Sequence, residues 1–408
     1  MATRSLLSPV CFFLSSLLLM VRAVPITAST FEPKCIMYLT GQHPNPPTDP
    51  SLLKDLTHVA LAFIRPHIFN DPHPTSWPFY TTVAAERPKF AEGTKIMIAI
   101  GGWGDTQGFS DGARTEEGRK LFAKNIGRMV EETGADGVDI DWEYPGGNGE
   151  DYKTVPNSEK AWEITAYPLL LQEIRAAIGP SKLISAAVPG LPRDMLAFTS
   201  TTIPSIMSSV DFLNIMTYDM FNRRDNVTKH HTGLQLSLEA IDAYLDRGVP
   251  PEKANLGFAY YTKWYRTLPN SSCSSNPIGC PTELMENPLT GGDLGKAGAF
   301  SWHDSVPADF AVSWSKALAY GQYDEEGGGH YYWDGDENLW WTWDTPDAIL
   351  KKYPRIVEER KLGGVFAWGL GEDGDRYEHL QATTKGYREW VEECEEDRGM
   401  RVQKRREL

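Results

Sequence analysis

Eight short apolar runs punctuate the chain: CIMYL (35–39), HVALAFI (58–64), KIMIAI (95–100), GVDIDW (137–142), LISAAV (183–188), DFLNIM (211–216), ANLGFAY (254–260) and GGVFAW (363–368). Each has the length of a strand, and most are continuously apolar, as strands buried on both faces are. Between several of them the pattern becomes helical. In TEEGRKLFAKNIGRMVEETG, Leu121, Phe122, Ile126, Met129 and Val130 share one face, with Thr115 as N-cap and Gly134 as C-cap. SEKAWEITAYPLLLQEIRAAIG predicts a second helix from Ser158 to Gly179, and TPDAILKKYPRIVEERKLGG a third before the last strand. Buried strands alternating with amphipathic helices make a parallel sheet, and eight such units predict a (β/α)8 TIM barrel of the α/β class. A doubly wound open sheet is the rival fold, but GGNG (146–149) is a poor match to a phosphate-binding loop.

One interval is too long for a barrel connection. About 100 residues separate Tyr260 from Gly363, and 262–342 is rich in Pro, Gly, Ser and Trp. This stretch predicts an inserted α+β subdomain before the last strand, within a main domain at 34–393. The tail, 394–408, is charged and predicted to be disordered. At the other end, Arg4 precedes the apolar VCFFLSSLLLMV (10–21), followed by the small Ala23 and Ala28. This predicts a signal peptide at 1–23, with cleavage as late as 28, and a secreted, extracellular protein. Cysteine usage agrees: beyond Cys11, four remain. Cys273 and Cys280 would staple one loop, and Cys35 and Cys394 would tie the two ends of the folded chain. Asn226 and Asn270 stand in glycosylation acceptor triplets.

The chain of 408 residues carries a formal charge of −15, which argues against nucleic acid or an anionic membrane as partner. Of its 13 Trp, most are expected in the core, and some could stack on sugar rings.

DGVDIDWEYP (136–145) changes the picture. It places Asp136, Asp139, Asp141 and Glu143 in an otherwise apolar strand, where charge is costly. By the two-residue period, Asp139, Asp141 and Glu143 point into the barrel, and Val138, Ile140 and Trp142 point out at the helices. Asp136 is out of phase and predicts a structural role. Neighbouring in-phase carboxyls lie ~6–7 Å apart, so they cannot all ionise cheaply, and one is expected to keep its proton near neutral pH. A hard-cation site is the other use of such a row, but it leaves the barrel pattern and Tyr218 unexplained, and no metal is expected. His230, His231 and His330 lack ligand spacing and are expected at the surface.

DxxDxDxE, here Asp136, Asp139, Asp141 and Glu143, resembles the signature of family 18 glycoside hydrolases, the chitinases. AIGGW (99–103) is similar to that family's third-strand SxGG motif, MTYD (216–219) to its MxYD motif, and GGVFAW (363–368) to its last strand. The resemblance covers nearly all of 34–390. It implies Glu143 as the general acid, Asp141 as the group that holds the substrate's acetamido N–H, Asp139 as its proton-sharing neighbour, and Tyr218 as a hydrogen bond to the acetamido carbonyl. The substrate's own N-acetyl group would be the nucleophile, the substrate-assisted variant of retaining hydrolysis. Trp368 would stack under the sugar, and Tyr38, Phe63, Gly102, Trp103, Tyr144, Met216 and Asp219 would line the site. No cofactor is implied. The implied partners are chitin and chitooligosaccharides, and the expected protein is a monomeric endo-chitinase. Two positions depart from the pattern. Ala99 replaces the Ser of SxGG, which removes a hydroxyl near Asp139, and Lys263 stands where Arg is frequent. Two further readings share the framework: a lectin-like protein that sequesters chitin fragments, against which the presence of Glu143 argues, and an endo-β-N-acetylglucosaminidase acting on N-glycans.

Overall fold

The computed structural model describes residues 32–269 and 272–406, with side chains as far as 396. The expected signal peptide, Cys11 and the expected Asn270 acceptor lie outside the described residues. All eight apolar runs are strands: β1 (Lys34–Thr40), β2 (His58–Ile64), β3 (Lys95–Gly101), β4 (Gly137–Asp141), β5 (Leu183–Pro189), β6 (Phe212–Met216), β7 (Ala254–Ala259) and, last in the chain, β13 (Gly364–Trp368). They close into a parallel barrel in the order β1-β13-β7-β6-β5-β4-β3-β2. The barrel lumen is packed with Tyr38, Ala60, Ala62, Met97, Ala99, Ala187 and Phe366. The four alanines on β2, β3 and β5 leave room for the polar side chains of β4.

Between β7 and β13 lies a second sheet of five strands, β8 (Tyr261–Arg266), β9 (Ala297–Ser301), β10 (Gln322–Asp324), β11 (Gly329–Asp334) and β12 (Leu339–Trp343). Its order is β10-β11-β12-β8-β9 and every pair is antiparallel. A helix, Ala311–Tyr320, packs on one face through its own Trp314, in a cluster with Trp264, Trp341 and Trp343. The tryptophans concentrated here are therefore core, as most were expected to be. The Cys273–Cys280 disulfide forms within this subdomain. The expected Cys35–Cys394 bridge does not: Cys35 is a buried free thiol on β1, and burial pushes its pKa up.

Helix limits follow local chemistry. Thr115 Oγ1 accepts from Gly118 N at 3.0 Å, and Gly134, at φ 70°, ends that helix in the left-handed conformation. The second predicted helix is two pieces, Asn157–Lys160 and Glu163–Ile178. The third is α-helical over Pro346–Lys352 and then widens into a π-helix over Tyr353–Glu358, where Pro354 removes an N–H and crowds the preceding turn. The final helix, Glu378–Arg406, runs through the segment expected to be a disordered tail. Its Glu, Lys, Gln and Arg are good helix formers as well as charged. Among the described residues no helix is long and apolar enough to cross a membrane.

A buried ion pair closes the seam where the chain re-enters the barrel. Asp344 follows β12, and its Oδ2 lies 2.6 Å from Lys352 Nζ, with both side chains 0% exposed. His379 Nε2 reaches the Asp344 carbonyl at 3.0 Å. Replacing Lys352 by Met strands a carboxylate without its partner and is expected to cost about 3–5 kcal/mol, read from chemical denaturation.

Candidate active site

β4 performs the alternation that its sequence predicts. Val138, Ile140 and Trp142 are buried on the helix side, where Trp142 stacks on Phe109 at 5.3 Å and donates to Thr106 Oγ1 at 2.8 Å. Asp136, out of phase, accepts from Ile96 N at 2.8 Å and pairs with Arg87 at 2.9 Å, a structural role. Asp139, Asp141 and Glu143 rise through the barrel toward its carboxyl end.

Asp139 lies deepest and is 0% exposed. Tyr38 Oη donates to its Oδ2 at 2.9 Å and Ser185 Oγ to its Oδ1 at 2.6 Å. Asn214 Nδ2 donates to Tyr38 Oη at 2.9 Å, and Asn255 Nδ2 to Asn214 Oδ1 at 3.0 Å. Burial raises the Asp139 pKa to about 6, and these hydrogen bonds keep it from rising further. Ala99 and Ser185 flank Asp139 in register on β3 and β5. The hydroxyl missing at Ala99 is thus matched by one from the other neighbouring strand. Ser185 and Asn214 were not singled out in the sequence, yet each is a polar residue in an apolar strand, the same signal that exposed β4.

Asp141 is pushed well above the usual carboxylate range by burial and by repulsion from Glu143 and Asp139. Its Oδ1 is buried without a hydrogen-bond partner. Glu143, last of the row, is raised to about 7, chiefly by burial, with Asp219 and Asp194 adding to the rise and a hydrogen bond from Tyr144 opposing it. Burial and mutual repulsion thus shift both upper carboxyls toward the protonated form, with Glu143 poised near neutral pH.

Every candidate except Asp139 opens on one cleft of ≈ 1470 Å³ at the carboxyl end of the barrel: Tyr38, Phe63, Gly102, Trp103, Asp141, Glu143, Tyr144, Met216, Tyr218, Asp219 and Trp368. Trp368 stacks on Phe63 at 5.6 Å with planes 21° apart, and Tyr38 lies 5.8 Å from it. Gly102 is required beside this stack: at φ 92°, a Cβ there would meet the Phe63 ring at 2.7 Å. Tyr218 stands edge-on to Tyr261 and Phe366, and burial and the nearby Asp141 and Glu143 keep its phenol protonated. Trp103 is 50% exposed and faces Tyr144 at 6.3 Å.

Asp219 is held by Lys263 Nζ and Tyr261 Oη, each 2.8 Å from its Oδ1. Burial opposes its charge, but Lys263 and His231 outweigh burial and keep the carboxyl well below its ordinary value. Lys263 at the variant position is thus tied to the site. The histidines correct the surface expectation. His231 is fully buried 3.8 Å from Asp219, and the buried His230 bonds Asp324 at 3.0 Å. Both lie beneath the inserted subdomain, a packing that no local pattern announces. Another wall of the cleft joins barrel loops to the insertion. Tyr152 donates to Glu286, and Arg224 lies 3.8 Å over the Tyr152 ring and 3.4 Å from Asp194.

Comparison with known proteins fits this geometry. The family model for glycosyl hydrolases family 18 matches residues 34–373. The chain is 28% identical over 310 residues to probable chitinase 10 of Drosophila melanogaster, covering 72% of this chain and 13% of that protein. It is 28% identical over 309 residues to endochitinase 1 of Metarhizium anisopliae, covering 71% and 64%. The match therefore spans less than two thirds of either relative. A crystal structure of a chitinase from Rhizomucor miehei superposes with a TM-score of 0.69 at 20% identity, over 86% of this chain and 99% of that one, and shares the fold. With the family model covering most of its length, the chain belongs to family 18 of the glycosyl hydrolases.

Proposed function

We propose that the protein is a secreted, monomeric endo-chitinase that hydrolyses β-1,4 linkages between N-acetylglucosamine units with retention at the anomeric carbon. The observation that carries the reading is Glu143: a carboxyl at the cleft end of β4, raised to about 7, that lines one cleft with Asp141, Tyr218 and Trp368. Glu143 donates its proton to the glycosidic oxygen and later takes one from water. The acetamido oxygen of the bound sugar attacks the anomeric carbon, so no protein carboxylate is needed as nucleophile. Asp141 takes the acetamido N–H and offsets the positive charge of the cyclic intermediate. Asp139, below the cleft floor, holds Asp141 in a partly protonated row, and Tyr218 fixes the acetamido carbonyl. The Cys273–Cys280 disulfide favours an oxidising compartment and so supports secretion.

Incubation with chitohexaose tests this, with products separated by chromatography. Shorter oligomers of the β-anomer are expected. Binding without products would replace the enzyme by a lectin, and glycan release from high-mannose glycoprotein without action on chitohexaose would replace the substrate. Because Glu143 must be protonated to act, kcat is expected to fall as pH rises through about 7. A rate that instead grows across that limb removes Glu143 from the acid role.

A further inference from the structure

The cleft-lining carboxylates differ in how their charge is answered. Outside the β4 row, Asp105 pairs with Arg65, Asp194 with Arg224, Asp219 with Lys263, Glu286 with Lys153 and Asp293 with Arg223, all within 3.5 Å. Glu150, Glu372 and Asp304 have no such partner: Glu150 is exposed to solvent, and the basic groups near the other two are histidines. His43 stands between the two, with Nε2 3.0 Å from Asp304 Oδ1 and Nδ1 3.6 Å from Glu372 Oε1. The second separation is beyond hydrogen-bond distance, and Nδ1 is buried with no partner. Glu372 is 8% exposed by side chain and still lines the cleft. The cluster sets two carboxyl groups against one imidazole, an excess of acidic over basic groups.

Its position follows from the barrel. His43 is on the loop after β1, Glu372 is on the loop after β13, and Asp304 follows β9 of the inserted subdomain. β1 and β13 are neighbours, with Tyr38 paired to Trp368. A Cβ built on Gly369 would lie 3.8 Å from Glu372 Oε1, so the carboxylate sits against the peptide that follows Trp368. His43, Glu372 and Asp304 therefore line the same cleft as Trp368, at its β1 and β13 edge.

We propose that Glu372 and Asp304, with His43 between them, form a subsite that takes a deacetylated, cationic glucosamine unit of a mixed chain. This rests on the function proposed above and adds a preference to it. An ammonium offers three donors and a full charge to two carboxylates that have no lysine or arginine. An N-acetylated unit offers one N–H and no charge, and leaves the desolvated Glu372 unanswered.

The test uses the full protein and two substrates, chitohexaose and a chitosan with about half its units acetylated at random. Products of the chitosan digest are labelled at the reducing end and sequenced by mass spectrometry. Glucosamine is expected above its bulk fraction at one fixed position next to the unit that was cleaved. E372Q and D304N should remove that enrichment and lower the ratio of kcat/KM on chitosan to that on chitohexaose by about tenfold. Asp304 is half-exposed, so D304N keeps the test open if E372Q folds poorly. Chitohexaose cleavage with no glucosamine enrichment, or with a ratio unchanged in both variants, overturns the subsite and leaves the chitinase reading intact. No cleavage of chitohexaose by the unaltered protein overturns both.

Discussion

Glu143→Gln should lower kcat on chitohexaose by about 10²–10⁴-fold, the range lost with a positioned general acid, while Kd for the same oligomer shifts by less than about threefold. Gln preserves the volume and the hydrogen-bonding reach of the side chain but has no proton to give. The aromatic side chains proposed to carry binding, Trp368 stacked on Phe63 and Trp103 beside Tyr144, are positioned without that proton. The variant also removes one of the two neighbouring carboxyls that raise the Asp141 pKa. Asp141 should then ionise at lower pH than in the parent, which infrared difference spectroscopy of its carboxyl band would register. Calorimetric titration of the variant supplies Kd, and product chromatography supplies kcat. Hydrolysis at the parental rate would take the acid role from Glu143. Loss of binding together with rate would make it a structural residue.

The barrel is legible in the sequence because each of its strands is buried on both faces and so must be written in apolar residues. That same requirement makes a polar residue within such a run conspicuous, and the carboxylates of β4 stand out for this reason. Ser185 and Asn214 gave the same signal more quietly, one residue per strand, and both converge on Asp139. What the sequence hides is contact made between distant segments. His231 is buried because the inserted subdomain is laid over it, and its neighbour Asp219 is held by Lys263 from β8. The even count of cysteines after Cys11 suggested two bridges, but Cys35 is buried on the helix-facing side of β1, where a thiol serves as a small apolar group. The charged end of the chain was ambiguous for a different reason. Glu, Lys and Arg serve both disorder and helices, and only the apolar residues that anchor the start of the helix, such as the buried Leu380 and Trp390, decide between them.

Asp141→Asn should lower kcat by about 10²–10³-fold with the melting temperature unchanged or raised. The two effects come from one cause. Asp141 is a buried carboxyl between two others, with one oxygen lacking any hydrogen-bond partner, so its ionised form is costly in the free protein. A neutral amide of the same shape removes that repulsion, as replacement of buried charge by neutral groups often does. In the reaction the relation reverses. In the proposed mechanism, positive charge develops beside Asp141 as the acetamido group closes on the anomeric carbon, and the ionised carboxylate would be the preorganised counter-charge for it. Loss of one such electrostatic contact in a water-poor site costs on the order of 10²–10³ in rate. The double variant with Glu143→Gln should be scarcely slower than Glu143→Gln alone, since groups that act as one unit lose little more when both are removed. Calorimetry and single-turnover kinetics on the same preparations separate the possibilities. A fall in stability that tracks the fall in rate would make Asp141 a structural carboxyl. A stable, folded and slow variant would mean that the strain of the β4 row is kept for the transition state, where its charge is finally answered.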